Sequence, residues 1–327
     1  MNINTPRKKI VVLGGTGFVG QHLCAALVQA GHRVRVLSRN PDRAKELTVL
    51  PTLTLKYANI YQQDLLNKAC EGADVLINLV GILNEDGHRG SGFRKAHVTL
   101  AQKVVATCLY NHIPRLLHMS ALNADASKGR SYYLRTKGEA ESYVHAHHVG
   151  QIHVTSFRPS VMFGPNDSFL NRFADLLAYA PGIFPLPLPN SLFAPIYVGD
   201  VVNAMIRSLD LSATYGQRYE LCGPKVYTLK ELVTYIAKLK HMHRLVIGLP
   251  LWLSSWQANM MEYLPGKPFS RDNYLSALTP SVCQQPMPKL LGLNLTPLES
   301  IAPLYLLPDE QQHLYDQYRA QVTVKGS

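Results

Sequence analysis

Hydrophobic and polar positions in the first 160 residues follow two alternating patterns. Short apolar runs, which predict strands, are each followed by amphipathic segments that predict helices, as in βαβ units of a parallel sheet. The predicted strands are Lys9–Leu13, Arg33–Ser38, Leu53–Tyr57, Val75–Leu79, Leu116–Ser120 and Ile152–Arg158. The predicted helices are Phe18–Ala30, Asp64–Cys70, Phe93–Asn111 and Tyr132–His147. We therefore expect an α/β fold with a Rossmann-type, doubly wound parallel sheet.

Beyond Arg158 the pattern changes to proline-rich loops with isolated helices. We expect an NAD(P)-binding Rossmann domain over residues 1–160 and a smaller C-terminal substrate or partner lobe over residues 161–327, partly interleaved with the Rossmann sheet. Thr228 and Glu231 have the spacing of a capping box, which predicts a helix start. Asp200 is predicted to be the N-cap of another helix and not a catalytic acid.

The composition is typical of a globular protein, since 46% of the 327 residues are hydrophobic and 17% are charged. The net charge of +11 favours anionic partners. Because the basic residues are dispersed, we expect no nucleic-acid binding. Five scattered cysteines predict reduced thiols in an intracellular compartment. With no targeting segment at the N-terminus, the chain is expected in the cytoplasm, with a peripheral position at the inner membrane left open.

The segment Leu245–Leu264 carries Trp252, Trp256, Met260 and Met261 among leucines. It is too short and too interrupted to span a membrane. We favour packing of its apolar face against the sheet, because such spacing is ordinary for a buried helix. A hydrophobic ligand pocket or contact with a bilayer is the alternative.

Two groups of histidines also stand out in the sequence. His145, His147 and His148 form one group, and His241 and His243 form the other. Neither has an acidic or cysteine partner at a spacing useful for a metal. We therefore interpret them as imidazoles at helix ends and predict no metal site.

A glycine-rich loop follows the first strand and precedes the first helix. Glycines in this position let backbone approach a pyrophosphate at a helix N-terminus. The spacing permits both GxGxxG and GxxGxxG. The candidate cofactor-binding residues of the loop are Gly14, Thr16, Gly17, Phe18, Val19 and Gly20.

Cofactor preference is read at the end of the second strand. There the sequence carries Arg39, Asn40 and Arg43, with no acid before Asp42. An arginine accommodates the 2′-phosphate of NADP, whereas an acid binds the ribose of NAD. We therefore predict NADP(H) over NAD(H).

Candidate catalytic residues lie further along the chain. Tyr133 and Lys137 are one helical turn apart, and Ser120 ends a predicted strand. A lysine near a tyrosine lowers the phenol pKa, so the tyrosine can exchange a proton with a carbonyl or alcohol. Ser120 would hydrogen-bond the same substrate oxygen.

These motifs together resemble a known group, the atypical extended short-chain dehydrogenase/reductases. The residues that carry the resemblance are the glycine loop, Asn78–Gly81, Ser120, Tyr133–Lys137 and Arg158–Ser160. His118–Ala124, Phe163–Gly164 and Phe169–Ala174 make the chain similar to the family of 39 kDa NADPH-binding accessory subunits of respiratory complex I and their bacterial homologues. The resemblance runs from the first strand to about Lys240.

The resemblance implies a wider cofactor site and a change in its chemistry. It adds contacts from Leu79, Val80, Gly81, Tyr133, Lys137, Pro159, Ser160 and Val161. His97 stands where catalytic extended members carry an asparagine, which departs from the standard proton relay. The complex I relatives further imply that the nucleotide can be held without turnover.

The sequence thus favours an NADP(H)-binding oxidoreductase that acts on a hydrophobic carbonyl or quinone-related compound. One alternative is a non-catalytic NADPH-binding accessory module of a respiratory or quinone-biosynthesis complex. Another is a nucleotide-sugar epimerase or dehydratase. The expected partners are a hydrophobic small molecule and a respiratory complex or membrane surface.

Overall fold

Parallel strands form the centre of the protein. The computed structural model describes residues 7–40, 46–85, 87, 89–148, 150, 152–180, 182–261, 269–285 and 287–307. Its strands are β1 (Lys9–Leu13), β2 (Arg33–Ser38), β3 (Leu53–Tyr57), β4 (Val75–Asn78), β5 (Arg115–Met119), β6 (His153–Pro159), β7 (Met162–Phe163), β8 (Ile183–Leu186), β9 (Leu192–Phe193), β10 (Ile196–Tyr197), β11 (Arg218–Leu221), β12 (Tyr227–Thr228) and β13 (Leu245–Gly248). Its helices are α1 (Phe18–Gln29), α2 (Gln63–Cys70), α3 (Ser91–Arg94), α4 (Leu100–Tyr110), α5 (Tyr132–Ala146), α6 (Leu170–Tyr179), α7 (Val198–Arg207), α8 (Leu229–Leu239), α9 (Leu251–Met261), α10 (Arg271–Ala277) and α11 (Leu298–Leu306).

The main sheet has seven parallel strands in the order β11-β6-β5-β4-β1-β2-β3. The predicted α/β, doubly wound class is confirmed, and each of the six predicted strands agrees with the structure to within one residue at either end. The seventh strand, β11, comes from beyond residue 160 and was not predicted. It is short and lies at the edge of the sheet, so only Tyr219 and Leu221 are buried and the apolar pattern is weak.

Helices cover both faces of the sheet, since four consecutive residues of β1 are buried and alternate between the two faces. Ile10 and Val12 pack in a core with α1 and α7. Val11 and Leu13 pack on the other face, with α2, α4 and α5. A third core joins α6, α8 and α11 in the C-terminal part of the chain. Because both faces are covered, the site can form only at the edge where the strands end.

The predicted helix over Phe93–Asn111 is divided in the structure. It consists of α3, a π-helical turn over Lys95–Thr99, and α4. Apolar periodicity cannot distinguish the wider π turn from a continuous α-helix, which is why the prediction missed it. The turn matters because it carries His97.

One of the two predicted helix starts is correct. The capping box of Thr228 and Glu231 is confirmed at the start of α8. Asp200 as an N-cap is wrong, since the N-cap of α7 is Tyr197. Asp200 instead lies in the first turn, where its carboxylate accepts hydrogen bonds from the backbone and hydroxyl of Thr296.

The prediction of five reduced cysteines is wrong for two of them. Cys222 and Cys283 form a disulfide with Cα atoms 5.9 Å apart, whereas Cys24, Cys70 and Cys108 are buried free thiols. The partners are 61 residues apart in sequence, so no spacing signals the bond. The tertiary fold brings the end of β11 beside the segment that follows α10.

The expectation that Leu245–Leu264 packs against the main sheet is also wrong for its described residues, 245–261, whereas 262–264 lie outside the described residues. Its first residues form β13, which pairs with β8 outside the main sheet. In α9, Trp252 is 73% exposed and Trp256 is 59% exposed. Helical spacing places these side chains on one face but does not decide whether that face points inward. None of the helices in the described ranges is long and apolar enough to cross a bilayer.

Candidate functional site

The glycine loop forms a tight turn between β1 and α1. Gly14 has φ +79°, a conformation that favours glycine. A Cβ atom on Gly20 would lie 2.3 Å from the carbonyl oxygen of Gly14, and one on Gly15 would lie 2.8 Å from Val36. Backbone conformation thus favours glycine at position 14, and packing requires it at positions 15 and 20.

Gly17 differs from these glycines because the protein itself leaves space beside it. The nearest atom to a Cβ built there, the Gly14 carbonyl oxygen, lies at an ordinary contact distance of 3.4 Å. Gly17 is the N-cap of α1, whose first residues are Phe18 and Val19. It has no side chain that could hydrogen-bond the N–H groups at this end of the helix. Open space before an uncapped helix N-terminus suits a phosphate group, so Thr16 and its neighbours fit a dinucleotide.

The end of β4 lies directly beside this loop. The Leu79 N–H donates to the Leu13 carbonyl, and the Val80 N–H donates to the Asn78 side chain. A Cβ on Gly81 would lie 3.0 Å from Lys137 Nζ. Leu79, Val80 and Gly81, for which cofactor contacts are predicted, therefore lie between the glycine loop and the candidate catalytic helix.

The end of β2 is positively charged. Arg39 is exposed and lies close enough to Tyr61 to oppose the rise that burial causes in the pKa of this phenol. Lys95 lies 5.2 Å from the centre of the Tyr61 ring. Asn40 N–H donates to the Ser38 hydroxyl. Arg43, the other predicted cofactor residue here, lies outside the described residues.

Lys137 is a buried cation beneath the ends of β4 and β5. Its Nζ donates to the carbonyl of Met119 at 3.0 Å and to that of Val80 at 3.3 Å. Burial lowers the Lys137 pKa to about 8. Ser120 follows Met119, and its buried hydroxyl has no hydrogen-bond partner within the described part of the chain. The structure thus brings Lys137 and Ser120 to one end of the sheet.

Tyr133 precedes Lys137 by one turn of α5. Its ring contacts His97 edge-on, with 5.6 Å between the ring centres. Burial, and then the negative charge of Asp272, raise the Tyr133 pKa to about 12. This corrects the expectation of a lowered pKa, since desolvation of the phenolate and the charge of Asp272 both raise it.

His97 is a buried neutral imidazole that ties the π turn to the site. Its Nε2 accepts the Ile82 N–H, and its Nδ1 lies 2.8 Å from the Thr136 hydroxyl. Burial, followed by the charge of Lys137, lowers the His97 pKa to about 2. Both ring nitrogens therefore have partners within the protein, and the imidazole connects the π turn to Ile82 and to Thr136 of α5.

The loop after β6 closes the site from the C-terminal side. Pro159 accepts the Leu122 N–H, and Val161 accepts the Ile196 N–H. The Ser160 hydroxyl donates to the Ser281 carbonyl at 2.8 Å. Ser281 lies two residues before the disulfide-bonded Cys283, so this loop is fixed by a distant part of the chain.

Asp272 on α10 caps the helix that carries Tyr133. Its carboxylate accepts the N–H groups of Tyr132 at 2.7 Å and Tyr133 at 3.2 Å. A cavity of about 190 Å³ opens beside these residues, with Phe93 and Leu275 among its lining. The cavity lies at the start of α5, where Tyr132 and Arg135 line it.

Several residues that build the site were missed by sequence reasoning. Asp272 acts across 139 residues of sequence, and Ser281 acts across 121. Glu141, two turns after Tyr133, accepts hydrogen bonds from the Arg158 guanidinium at both carboxylate oxygens. For these residues the sequence offers one signal, the i+4 spacing that places Glu141 on the same face of α5 as Tyr133 and Lys137.

The predicted histidine groups are dispersed among different partners. His145 contacts the Ser156 hydroxyl, His147 the Tyr143 carbonyl, and His148 the backbone of Ile152. No group of three or more potential metal ligands occurs within the described ranges.

Comparison with known proteins gives the family. The model of the NAD dependent epimerase/dehydratase family matches residues 10–222, from β1 to the end of β11. The chain belongs to this family. Membership accounts for the glycine loop and the sheet order, and it makes the chain one of a group of NAD(P)-binding proteins.

Similarity to individual proteins and to solved structures extends this finding. The chain is 28% identical to mouse NADH dehydrogenase [ubiquinone] 1 alpha subcomplex subunit 9, mitochondrial, over 88% of its own length and 77% of the relative's. It is 30% identical to the 2-alkyl-3-oxoalkanoate reductase of Stenotrophomonas maltophilia, over 50% and 53% of the two chains. UDP-glucuronic acid 4-epimerase from Bacillus cereus superposes with a TM-score of 0.65 at 17% identity, covering 83% of this chain and 99% of that one. This last likeness concerns the fold alone.

Proposed function

We propose that the chain is an NADP(H)-dependent oxidoreductase that reduces a hydrophobic carbonyl or quinone-related compound. The observation that carries the proposal is the arrangement of Lys137, which is buried against the Met119 carbonyl beside the unpartnered hydroxyl of Ser120. An ordinary structural lysine would extend to solvent, because burying an ammonium is costly. A catalytic role for the ammonium group would explain why the protein buries it despite this cost.

A bound nicotinamide would supply the hydride, and the chain's own residues handle the proton. With a pKa of about 12, Tyr133 is protonated at neutral pH. It therefore donates its phenol proton to the carbonyl oxygen while the carbonyl carbon gains hydride, which favours reduction. Lys137 stabilises the resulting phenolate, and Ser120 donates a hydrogen bond to the same oxygen.

The positive end of β2 supports NADP(H) as the cofactor. Arg39 is exposed there, and Lys95 lies over the neighbouring Tyr61 ring. Two cations attract the charge of a 2′-phosphate, while an NAD-type site requires an acid at this point. The remaining cofactor contacts are proposed from the glycine loop, Leu79–Gly81 and Pro159–Val161.

The cavity beside Tyr132 has a mixed lining. Phe93 and Leu275 are its apolar residues, and Glu85, Arg135 and Asp272 are among its charged ones. The relative named 2-alkyl-3-oxoalkanoate reductase, similar over half of this chain, is by its name a reductase of an alkyl-bearing keto acid. A compound with an apolar chain next to a carbonyl therefore suits this site.

The test is a titration with NADPH and NADH, followed by assays of NADPH oxidation with quinones and hydrophobic ketones. We expect tighter binding of NADPH, with the preference abolished in Arg39→Ala. Tyr133→Phe should bind NADPH as the wild type does but lose at least about a hundredfold in turnover. Preference of the wild type for NADH would overturn the cofactor proposal.

A second candidate is an accessory module that holds NADPH without turnover in a respiratory complex. The 28% identity to a mitochondrial NADH dehydrogenase subunit, across most of both chains, favours it. Tight NADPH binding by the wild type, with no oxidation by any acceptor, would select this candidate. Both candidates are consistent with a cytoplasmic protein at the periphery of the inner membrane.

A further inference from the structure

Helix α9 presents apolar side chains to solvent. Trp252, Trp256 and Met260 recur every fourth residue and so share one face of the helix, where they are 73%, 59% and 56% exposed. Ser254, on the opposite side, is fully buried and donates to the carbonyls of Leu249 and Pro250. A helix facing water normally has the reverse arrangement. Moreover, α9 contains no charged residue with which to solvate its outer face.

The small sheet next to α9 has the same character. In the pairing of β8 and β13, Ile183 lies opposite Leu245, and Ile247 lies opposite Pro185. Alternation along a strand places Leu245 and Ile247 on one face, where they are 62% and 42% exposed. Ile183 is 55% exposed beside them. This sheet therefore covers Phe184 and Val246 but leaves its outer face apolar.

The sheet and α9 lie against each other. The Leu249 N–H donates to the Leu186 carbonyl at the end of β8. The Leu188 N–H donates to the Ser254 hydroxyl inside the start of α9. We call the resulting apolar surface the α9 face, and it comprises Ile183, Leu245, Ile247, Leu251, Trp252 and Trp256. Its extent exceeds the single exposed apolar residues that are normal on a protein surface.

The chain segment that leads into and forms most of the α9 face is basic in sequence. The sequence contains no aspartate or glutamate from Leu232 to Met261. The same stretch holds Lys238, Lys240 and Arg244, with His241 and His243 between them, directly before β13. A surface that joins tryptophans to basic residues suits an anionic bilayer, because tryptophan prefers the interface and lysine and arginine attract acidic headgroups.

We propose that the α9 face docks the protein on the surface of an anionic lipid bilayer, with Trp252 and Trp256 at the level of the headgroups. The net charge of +11 draws the whole chain to such a surface. A second copy of the chain would bring the same basic segment opposite itself, which opposes self-association through this face. The proposal goes beyond the proposed function and uses none of its catalytic residues.

The experiment uses the full chain with vesicles of phosphatidylglycerol and, separately, of phosphatidylcholine. Trp252 and Trp256 are the only tryptophans in the sequence, so emission reports on α9 alone. We expect cosedimentation with phosphatidylglycerol vesicles, a blue shift of emission, quenching by spin-labelled lipid and weakening by salt. Phosphatidylcholine should bind much less.

A double variant and a matched control locate the contact. Trp252→Ser combined with Trp256→Ser should reduce cosedimentation by about tenfold or more. Tyr110→Ser removes an aromatic side chain that is 71% exposed on α4, far from this face in sequence, and should leave binding unchanged. An unchanged NADPH affinity in the double variant would establish that it is folded and separate this result from the proposed function.

Three results would overturn the proposal. These are no binding of the wild type to phosphatidylglycerol vesicles, binding without quenching by spin-labelled lipid, and equal binding by the double variant. A wild-type dimer that the double variant cannot form would instead assign the α9 face to a second copy. The quenching measurement needs no variant, so the proposal remains testable if the double variant does not fold.

Discussion

At the scale of single residues, Gly17 and Gly20 lack side chains for different reasons. A Cβ on Gly20 would overlap the backbone of Gly14 and Gly15, with contacts of 2.3 and 2.5 Å. A Cβ on Gly17 would meet nothing closer than 3.4 Å. Gly20 is therefore needed for folding, and Gly17 leaves space for a bound nucleotide.

This contrast gives a prediction for two alanine variants. Gly20→Ala should destabilise the protein by about 2 kcal/mol, because backbone must move to relieve the overlap. Gly17→Ala should cost less than about 1 kcal/mol, the usual effect at an N-cap, but should abolish most NADPH binding. Urea denaturation and nucleotide titration measure the two effects. Full NADPH affinity in Gly17→Ala would exclude this space as the pyrophosphate site.

Buried histidines make the fold sensitive to acid. Burial, followed by the charge of Lys137, lowers the pKa of His97 to about 2 and that of His118 to about 3, from an ordinary 6.5. Between pH 6.5 and the lowered pKa of each histidine, the unfolded chain binds a proton that the folded chain does not. The contribution of each histidine to the free energy of unfolding is therefore fully present above pH 6.5. It is lost as the pH falls, by up to about 1.4 kcal/mol per pH unit for each histidine.

We therefore expect the free energy of unfolding to decrease from pH 7 to pH 5. His118→Asn should show a smaller decrease, because the variant no longer carries the imidazole that the unfolded chain protonates. The exposed His243→Asn serves as a control. Urea denaturation at the two pH values measures the difference, and equal decreases in wild type and His118→Asn would contradict the assignment.

At the scale of elements, α5 depends on a residue from another helix. Ser131 caps the helix through the Leu134 N–H, and Asp272 of α10 accepts two further N–H groups at the same end. A carboxylate there also stabilises the positive end of the helix dipole. Its charge contributes to the raised pKa of Tyr133.

The variant Asp272→Ala should therefore destabilise the protein by about 1 kcal/mol and lower the pKa of Tyr133. Arg271→Ala, at an exposed neighbouring position on the same helix, is the matched control. Denaturant midpoints measure the first effect. A spectrophotometric pH titration, with Tyr133→Phe as the reference, measures the second. A pKa that stays constant or rises would contradict the contact.

Elements in the Rossmann part were largely readable from the sequence because the central strands are buried on both faces. β4 reads as an unbroken run, and its four residues are all buried. β11 was not readable, since Arg218 and Glu220 interrupt its apolar pattern at the sheet edge. The division of α3 from α4 was also hidden, because a π turn leaves apolar spacing nearly unchanged.

At the scale of the whole molecule, the Cys222–Cys283 disulfide connects the main sheet to the segment that follows α10. That segment also bonds Ser160 through Ser281 and the Asn123 side chain through Pro280. The disulfide thus fixes the end of β11, Ser160 and Asn123 relative to one another at the edge of the site. It closes a loop of 61 residues.

Closing a loop of this length removes entropy from the unfolded chain, which stabilises the folded state by about 4 kcal/mol on the chain-entropy estimate. Cys222→Ser should lower the free energy of unfolding by that order. The wild type under reducing conditions should show the same loss. Cys108→Ser, a buried free thiol, separates loss of the bond from loss of a cysteine. Unfolding of the wild type that is insensitive to reductant would contradict the bond.

The sequence alone determined the parallel Rossmann sheet, the glycine loop and the grouping of Tyr133, Lys137 and Ser120. These features depend on local hydrophobic periodicity and on short spacings between residues, and both are visible in the amino-acid sequence. The tertiary structure alone decided the capping by Asp272, the disulfide, the raised pKa of Tyr133 and the outward direction of Trp252 and Trp256. Each of these features depends on which distant segments of the chain come into contact and on how much water those contacts exclude. The spacing of residues along the sequence determines neither.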